Sequence, residues 1–279
     1  MSTAPPTPSA PLNRALVNSE AAPLADARLA VTDDGVARGD GAFETIGVWD
    51  GRPFRLEDHI ARLQESLRRI LLPPADERAL VADVEQIVDG VTDDAALRCY
   101  VTGSQTRVVT LSPPPDRVLL RRLAVQPAPW IQPSRDYGPA GAKTMSYGPN
   151  MTATRAAQRA GADDALLVST DGIVLEGPTF CVLWVVDGVV TAAPVSRGIV
   201  DSISRRTLLE LAAAEGLPTR EAEVKLAEVL GADEVFACSS VRMPMAVERI
   251  EDHSFESPSP ITQRLSSALE VARRGTMPR

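Results

Sequence analysis

The apolar positions change period several times along the chain, and each change predicts an element. Residues 41–49 lean apolar and read as a strand, which Asp50-Gly51 turns back into 52–56 as a hairpin. Leu56, Ile60, Leu63, Leu67, Ile70 and Leu71 then fall on one face of a helix stopped by Pro73-Pro74. A second helix carries Leu80, Val84, Ile87 and Val88, and strands are predicted at 96–102, 108–111 and 118–125. The Pro-rich run 126–139 reads as a linker. After it, 151–160 is an Ala-rich helix ended by Gly161. Strands at 165–169, 173–176, 181–186 and 189–191 follow, two pairs of them joined by Asp-Gly turns at 171–172 and 187–188. Helices at 205–215 and 225–230, a strand at 234–238 and an amphipathic helix at 261–274 complete the pattern.

Strands and helices mixed in two halves predict an α/β (α+β) enzyme. The expected organisation is a flexible tail over 1–25, a small N-terminal α/β domain over 26–130, a linker at 131–139 and a larger C-terminal α/β domain over 140–279. A chain of 279 residues is long enough for two such cores without disulfides or metals.

Composition narrows the function. The net charge is −8, from 29 Lys+Arg against 37 Asp+Glu, which argues against a nucleic acid or an anionic membrane as the main partner. No stretch reaches the roughly 18 apolar residues of a membrane span; the best candidate, 179–195, is interrupted by Asp187 and Gly188. The N-terminus carries no basic region followed by an apolar run, so no signal peptide is expected. Cys99, Cys181 and Cys238 are odd in number and far apart, which suits a reducing cytoplasm better than a disulfide framework. With only His59 and His253, and no HExxH or CxxC, no metal site is expected. Nucleophile elbows of the GxSxG type and the glycine-rich GxGxxG and GxxxxGK[ST] loops are also absent.

The residue that suggests covalent chemistry is Lys143, set among small and apolar neighbours in Gly141-Ala-Lys-Thr-Met-Ser-Tyr147. An amine out of water loses its proton more readily and becomes a nucleophile, although a single lysine at a strand end is ordinarily surface decoration. Its context adds more. Gly39-Asp-Gly-Ala-Phe-Glu44, Asp58-His-Ile-Ala-Arg62-Leu63, Lys143-Thr-Met-Ser-Tyr147, Gly172-Ile-Val-Leu-Glu176-Gly177, Gly198-Ile-Val-Asp-Ser-Ile-Ser-Arg205 and Ala232-Asp-Glu-Val-Phe-Ala-Cys-Ser-Ser240 stand in this order. Taken together they resemble the class IV (fold type IV) pyridoxal-phosphate enzymes, which include branched-chain and D-amino-acid aminotransferases and aminodeoxychorismate lyases.

The resemblance implies a two-domain fold like that of D-amino-acid aminotransferase, with pyridoxal 5'-phosphate as cofactor. It implies that Lys143 forms the Schiff base and shuttles the Cα proton, while Glu176 faces the ring nitrogen and Tyr147 the phenolic oxygen. Ile203 and Ser204 amides, Ser240 and the Arg62 cation would hold the phosphate, with Ser239 a further contact. Read as plain helix residues, Ser202 or Ser204 caps the helix at 205–215 and Arg62 pairs with Asp58 one turn away. Arg38, Phe43 and Arg98 are candidates for facing the substrate. Phe43, Gly103 and Gln105 stand where the D-amino-acid branch carries its carboxylate-binding Tyr and Arg-x-His, which counts against that specialisation.

Other departures are Ser202 for a usual Gly, Ser146 for a usual Asn, Phe180-Cys181 for a Ser-Asn pair and Ala246 for a usual Pro. The expected reaction is transfer of an amino group between an amino acid (branched-chain-like) or amine and an α-keto acid, by a cytoplasmic homodimer. Only 4% of residues are aromatic, which leans toward an aliphatic substrate. Ser239-Ser-Val-Arg242-Met resembles the loop of some deoxychorismate lyases and keeps a lyase open. A catalytically inactive fold type IV protein with a binding or regulatory role is the third alternative.

Overall fold

A computed structural model describes residues 9–116, 119–128, 138–256 and 258–275. The chain divides between Pro115 and Asp116 into two units. The first contains β1 (Arg14–Val17), β2 (Glu20–Pro23), α1 (Asp34–Ala37), β3 (Gly41–Trp49), β4 (Arg52–Pro53), α2 (Leu56–Arg69), α3 (Glu77–Val88), β5 (Ala95–Thr102) and β6 (Arg107–Ser112). Its strands make one antiparallel sheet in the order β2-β1-β6-β5-β3-β4. Helix α2 packs on β3, and α3 on β6 and β1. The stripe predicted from spacing is the buried one: Ile60, Leu63 and Leu67 join Leu80, Val84 and Ile87 over Ile46, Leu97 and Leu111.

Leu71 departs from that stripe and is 91% exposed. The helix has already ended there. Leu71 takes a left-handed φ of 60°, and the Leu72 N–H turns back onto the Leu67 carbonyl, the bond pattern of a Schellman motif. Residues 14–23, expected within the tail, instead form β1 and β2. β1 pairs with β6 from Arg14–Leu111 to Val17–Val108 and buries Ala15 and Leu16. Two buried residues in a four-residue strand are too short a pattern to read.

The second unit contains β7 (Arg122–Pro127), α4 (Gly148–Arg159), β8 (Asp164–Val168), β9 (Cys181–Val186), β10 (Val189–Ala192), α5 (Ile203–Ala214), β11 (Thr219–Glu221), α6 (Leu226–Val229), β12 (Glu234–Ser239), β13 (Arg242–Ala246), β14 (Arg249–Ile250), β15 (His253–Ser254) and α7 (Pro260–Arg273). One sheet runs β11-β10-β9-β12-β13 and another β15-β14-β7-β8. Trp184, Leu166, Leu175, Val235 and Ala237 lie in its main core.

The strand expected at 118–125 runs 122–127, and it belongs to this second unit rather than to a domain ending at 130. It pairs in parallel with β8 from Leu123–Asp164 to Pro127–Val168. An apolar run shows that a strand exists, not which sheet it joins. Of the linker expected at 131–139, residues 131–137 lie outside the described residues, as do 1–8 of the tail. Residues 173–176 make only isolated bridges, Val174 with Val168 of β8 and Ile173 with Lys225, and so no extended ladder. Among the described residues no helix is long and apolar enough to cross a membrane.

Candidate functional site

The candidate residues of the second unit lie on loops fixed by short hydrogen bonds. Lys143 precedes α4, and its Nζ donates to the Tyr147 hydroxyl at 3.0 Å, with the ammonium 5.2 Å from the ring centre. Tyr147 is the N-cap position of α4, and Pro149 in the first turn suits a helix start. One turn into the helix, Asn150 donates from Nδ2 to the Pro178 carbonyl at 3.1 Å. This bond ties the lysine loop to the segment that follows Glu176.

Glu176 is placed by the Asp171-Gly172 turn. Gly172 takes φ 78°, the Leu167 N–H donates to the Glu176 carbonyl, and the Leu175 N–H to the Leu167 carbonyl. The Glu176 side chain is buried, and Oε1 accepts from the Val200 N–H at 3.2 Å. Gly177 is then required by contact. A Cβ there would fall 2.1 Å from the Phe180 ring, and the Gly177 N–H closes the turn onto the Phe180 carbonyl. Phe180 thus replaces polar support with an aromatic ring stacked on backbone.

Val200 leads into α5. Ser202 is its N-cap, with Oγ accepting from the Arg205 N–H at 3.3 Å, so the predicted capping is present. The leading N–H groups of an α-helix, here those of Ile203 and Ser204, have no partner inside it and present positive partial charge. The helix is held by Arg205, which is buried, donates to the Ala193 carbonyl and pairs with Glu221. Ser204 lies against the Cys238 thiol, and Ser202 against Cys181. Cys181 and Cys238 oppose each other across β9 and β12. The Cys238 contact and burial push the Cys181 thiol well above its usual range.

Cys238 hands on to Ser239 and Ser240. The carbonyls of Ser239, Ser240 and Arg242 all accept from Arg273 of α7, at 3.0, 3.3 and 3.3 Å. Arg242 closes the circuit by donating from NH1 to the Thr179 hydroxyl at 3.3 Å, in the loop after Glu176. Lys143, Tyr147, Glu176, Ile203, Ser204, Ser239 and Ser240 are therefore joined within one unit by bonded segments. Among the described residues no group of His, Cys, Asp and Glu gathers that could hold a metal.

The first unit carries Arg62, Arg38, Phe43 and Arg98. Two of the sequence blocks meet here. Arg62 of α2 donates from Nε and NH2 to Glu44 of β3 at 2.7 and 2.6 Å, and His59 Nδ1 lies 2.7 Å from the same carboxylate. Glu44 is completely buried. Burial alone would raise its pKa, but the charge and hydrogen bonds of Arg62, with those of His59, bring it down to about 2. Arg38 makes an exposed ion pair with Asp34. Phe43 stacks on Tyr100 across β3 and β5, with ring centres 5.7 Å apart. Arg98 on β5 stands opposite Thr45 and Thr110, half-buried.

Sequence reasoning missed the roles of Glu44, Asn150, Arg242 and Arg273. For Arg273 a signal existed: it follows Leu265 and Leu269 at four-residue spacing, on the buried stripe of α7. Glu44 and Arg242 stand in quoted blocks, but their partners, like that of Asn150, are distant in sequence and no local pattern names them.

Comparison with known proteins identifies the family. Residues 41–250 match the model of the amino-transferase class IV family. The chain is 31% identical over 272 residues to a bifunctional aminodeoxychorismate lyase / D-amino acid transaminase of Mycobacterium tuberculosis, covering 86% of this chain and 91% of that one. It is 29% identical over 236 residues to a putative branched-chain-amino-acid aminotransferase of Methanocaldococcus jannaschii, covering 76% and 78%. Among solved structures it is similar to the PLP-bound form of a hypothetical aminotransferase from Mycobacterium tuberculosis, with a TM-score of 0.88, 27% identity and coverage of 95% and 100%. The chain belongs to the class IV aminotransferases, a family of pyridoxal-phosphate-dependent enzymes of fold type IV.

Proposed function

We propose that this chain transfers an amino group between an amino acid and an α-keto acid, with Lys143 as the catalytic amine. The observation that carries the reading is Lys143 Nζ held 3.0 Å from the Tyr147 hydroxyl, in the unit where Glu176 is buried and hydrogen-bonded just ahead of the α5 N-terminus. The residues suit pyridoxal 5'-phosphate. They offer an amine, a buried carboxylate, a helix N-terminus and a hydroxyl, Ser239 Oγ, that is buried without a partner among the described residues.

Bound there, the cofactor supplies an electron sink that acidifies the substrate's Cα–H bond. The chain's own groups do the rest. Lys143 Nζ would hold the cofactor and carry the Cα proton, while Tyr147 would fix its rotamer. Glu176 would hold a proton on the cofactor's ring nitrogen. The Ile203 and Ser204 amides, Ser239 and Ser240 receive the phosphate. For Arg62 the phosphate role, and for Arg38, Phe43 and Arg98 the substrate-facing roles, rest on the family resemblance. That resemblance also supports a homodimer, to be checked by light scattering, and three free thiols support a cytoplasmic setting.

A lyase that expels pyruvate from aminodeoxychorismate is the second reading, favoured by the Mycobacterium tuberculosis relative. The test is a visible absorption spectrum of the chain with added pyridoxal 5'-phosphate, beside a Lys143→Ala variant. The parent is expected to show a yellow band that the variant lacks, bleached by true donors from a panel of L- and D-amino acids. A colourless parent overturns the reading. Release of pyruvate and aminobenzoate from aminodeoxychorismate without a keto acid, with no amino acid bleaching the band, would replace it by the lyase.

A further inference from the structure

We propose that Arg242 is the residue that selects carboxylated substrates, pairing with a carboxylate present on both the amino donor and the keto acceptor. The inference rests on the aminotransferase reading and adds the substrate class: amino acids rather than plain amines.

A guanidinium keeps its charge in any protein environment, and one removed from water normally has a carboxylate or several carbonyls against it. The other shielded arginines of this unit have such partners, although the Nε of Arg197, like that of Arg242, is without an acceptor among the described residues. Arg197 pairs with Asp171 and Glu223. Arg205 pairs with Glu221, and Arg273 gathers three carbonyls of the turn after β12.

Arg242 does not. It is half-buried, and its hydrogen-bond partner among the described residues is the neutral Thr179 hydroxyl, at 3.3 Å. Its Nε is shielded from solvent with no acceptor among them. Asp164 attracts it only from beyond ion-pair distance. That carboxylate is already turned to the Thr154 hydroxyl, at 2.7 Å, and to the Ala165 N–H, at 2.8 Å. Burial raises the Asp164 pKa, disfavouring its charged form.

The position of this charge indicates its ligand. Arg242 follows Ser239 and Ser240 on one loop and touches Thr179, three residues after Glu176, on the other. Both loops carry cofactor-holding candidates. Arg273 grips the Arg242 carbonyl together with those of the two serines, so the turn that aims Arg242 is braced and itself positively charged. A braced, half-buried fork with donors to spare suits a planar carboxylate.

The experiment follows the bleaching of the visible band in reconstituted holoenzyme against donor concentration. It uses the best amino acid from the donor panel and the amine left when that acid's carboxylate is removed. Arg242→Gln is expected to raise the half-saturating concentration of the amino acid about 10- to 100-fold, the range for a hydrogen bond to a charged group. The response to the amine should not change, and Arg242→Lys should recover part of the loss. The band before donor addition and the melting temperature of the holoenzyme should match the parent. An unchanged half-saturating concentration overturns the proposal, and so does an equal loss for acid and amine, which is the mark of a merely structural residue. A parent that binds no cofactor overturns the aminotransferase reading and this inference with it. A parent that bleaches normally while Arg242→Gln behaves like it overturns this inference alone.

Discussion

In the first unit, both oxygens of Glu44 are engaged inside the same unit, by two hydrogen bonds from Arg62 and one contact from His59. In the second unit, the turn after β12 keeps donors open: Ser239 Oγ and Arg242 Nε are buried without partners among the described residues. Both clusters remove polar groups from water, which costs free energy wherever it happens. In the first, the cost is offset within the fold. In the second, no such partner stands among the described residues, and under the proposals above the cofactor and the substrate carboxylate offset the cost. Buried polarity in this protein therefore has two meanings, and the presence of an internal counter-charge separates them.

The strongest way to break this contrast is to open the closed cluster. Glu44→Gln leaves the Arg62 guanidinium buried without its carboxylate, and should destabilise the chain by about 3–5 kcal/mol in urea unfolding. The same residue sets a pH dependence. The Glu44 carboxyl lies at about 2 in the folded state, against 4.5 ordinarily. A depressed carboxyl stabilises fully above its unfolded value and loses that contribution as pH falls toward the folded one. Stability worth roughly 3 kcal/mol should thus drain away between about pH 4.5 and 2, and Glu44→Gln should flatten that limb. Coincident acid limbs in parent and variant would show that the cluster is not a stabilising one.

The two clusters were also unequally visible in the sequence. The helices α2, α3, α5 and α7 were legible because apolar spacing at three and four residues needs no partner to be recognised. The site blocks around Lys143, Glu176 and Ser202 were legible through resemblance, and the capping role of Ser202 through its local chemistry. Partnerships across sequence were not. Glu44 and Arg62 are 18 residues apart, Thr179 and Arg242 63 apart. No local period encodes such a pair, so Arg62 read as a phosphate cation by resemblance or as a helix partner of Asp58, and Arg242 as part of a loop motif. Strands β1 and β2 escaped for the opposite reason: four residues each give too little alternation to exceed turn-like composition.

A smaller and sharper test removes one open donor. Ser239→Ala deletes a buried hydroxyl that has no partner among the described residues, so stability without cofactor should hold or rise, by up to about 1 kcal/mol. Titration with pyridoxal 5'-phosphate should weaken about tenfold, as a bond to a charged acceptor is lost. Stability and affinity then move in opposite senses, which no residue of the closed cluster can do. A cofactor-free loss above about 1 kcal/mol would mean that the hydroxyl serves the fold.

The smallest effect is expected at Ser202, a closed residue inside the open region. Its Oγ already accepts from the Arg205 N–H, at a long 3.3 Å, and its side chain also lies against Cys181. Glycine is a tolerable N-cap, so Ser202→Gly should cost only about 0.3 kcal/mol in urea unfolding. It also restores the glycine usual in the family at this turn, so cofactor affinity should hold or tighten by less than about threefold. Were the hydroxyl itself a phosphate ligand, the same variant would weaken the cofactor about tenfold, as Ser239→Ala does. The pair of variants thus decides whether the serine that caps α5 belongs with Glu44, serving the fold, or with Ser239, serving the cofactor.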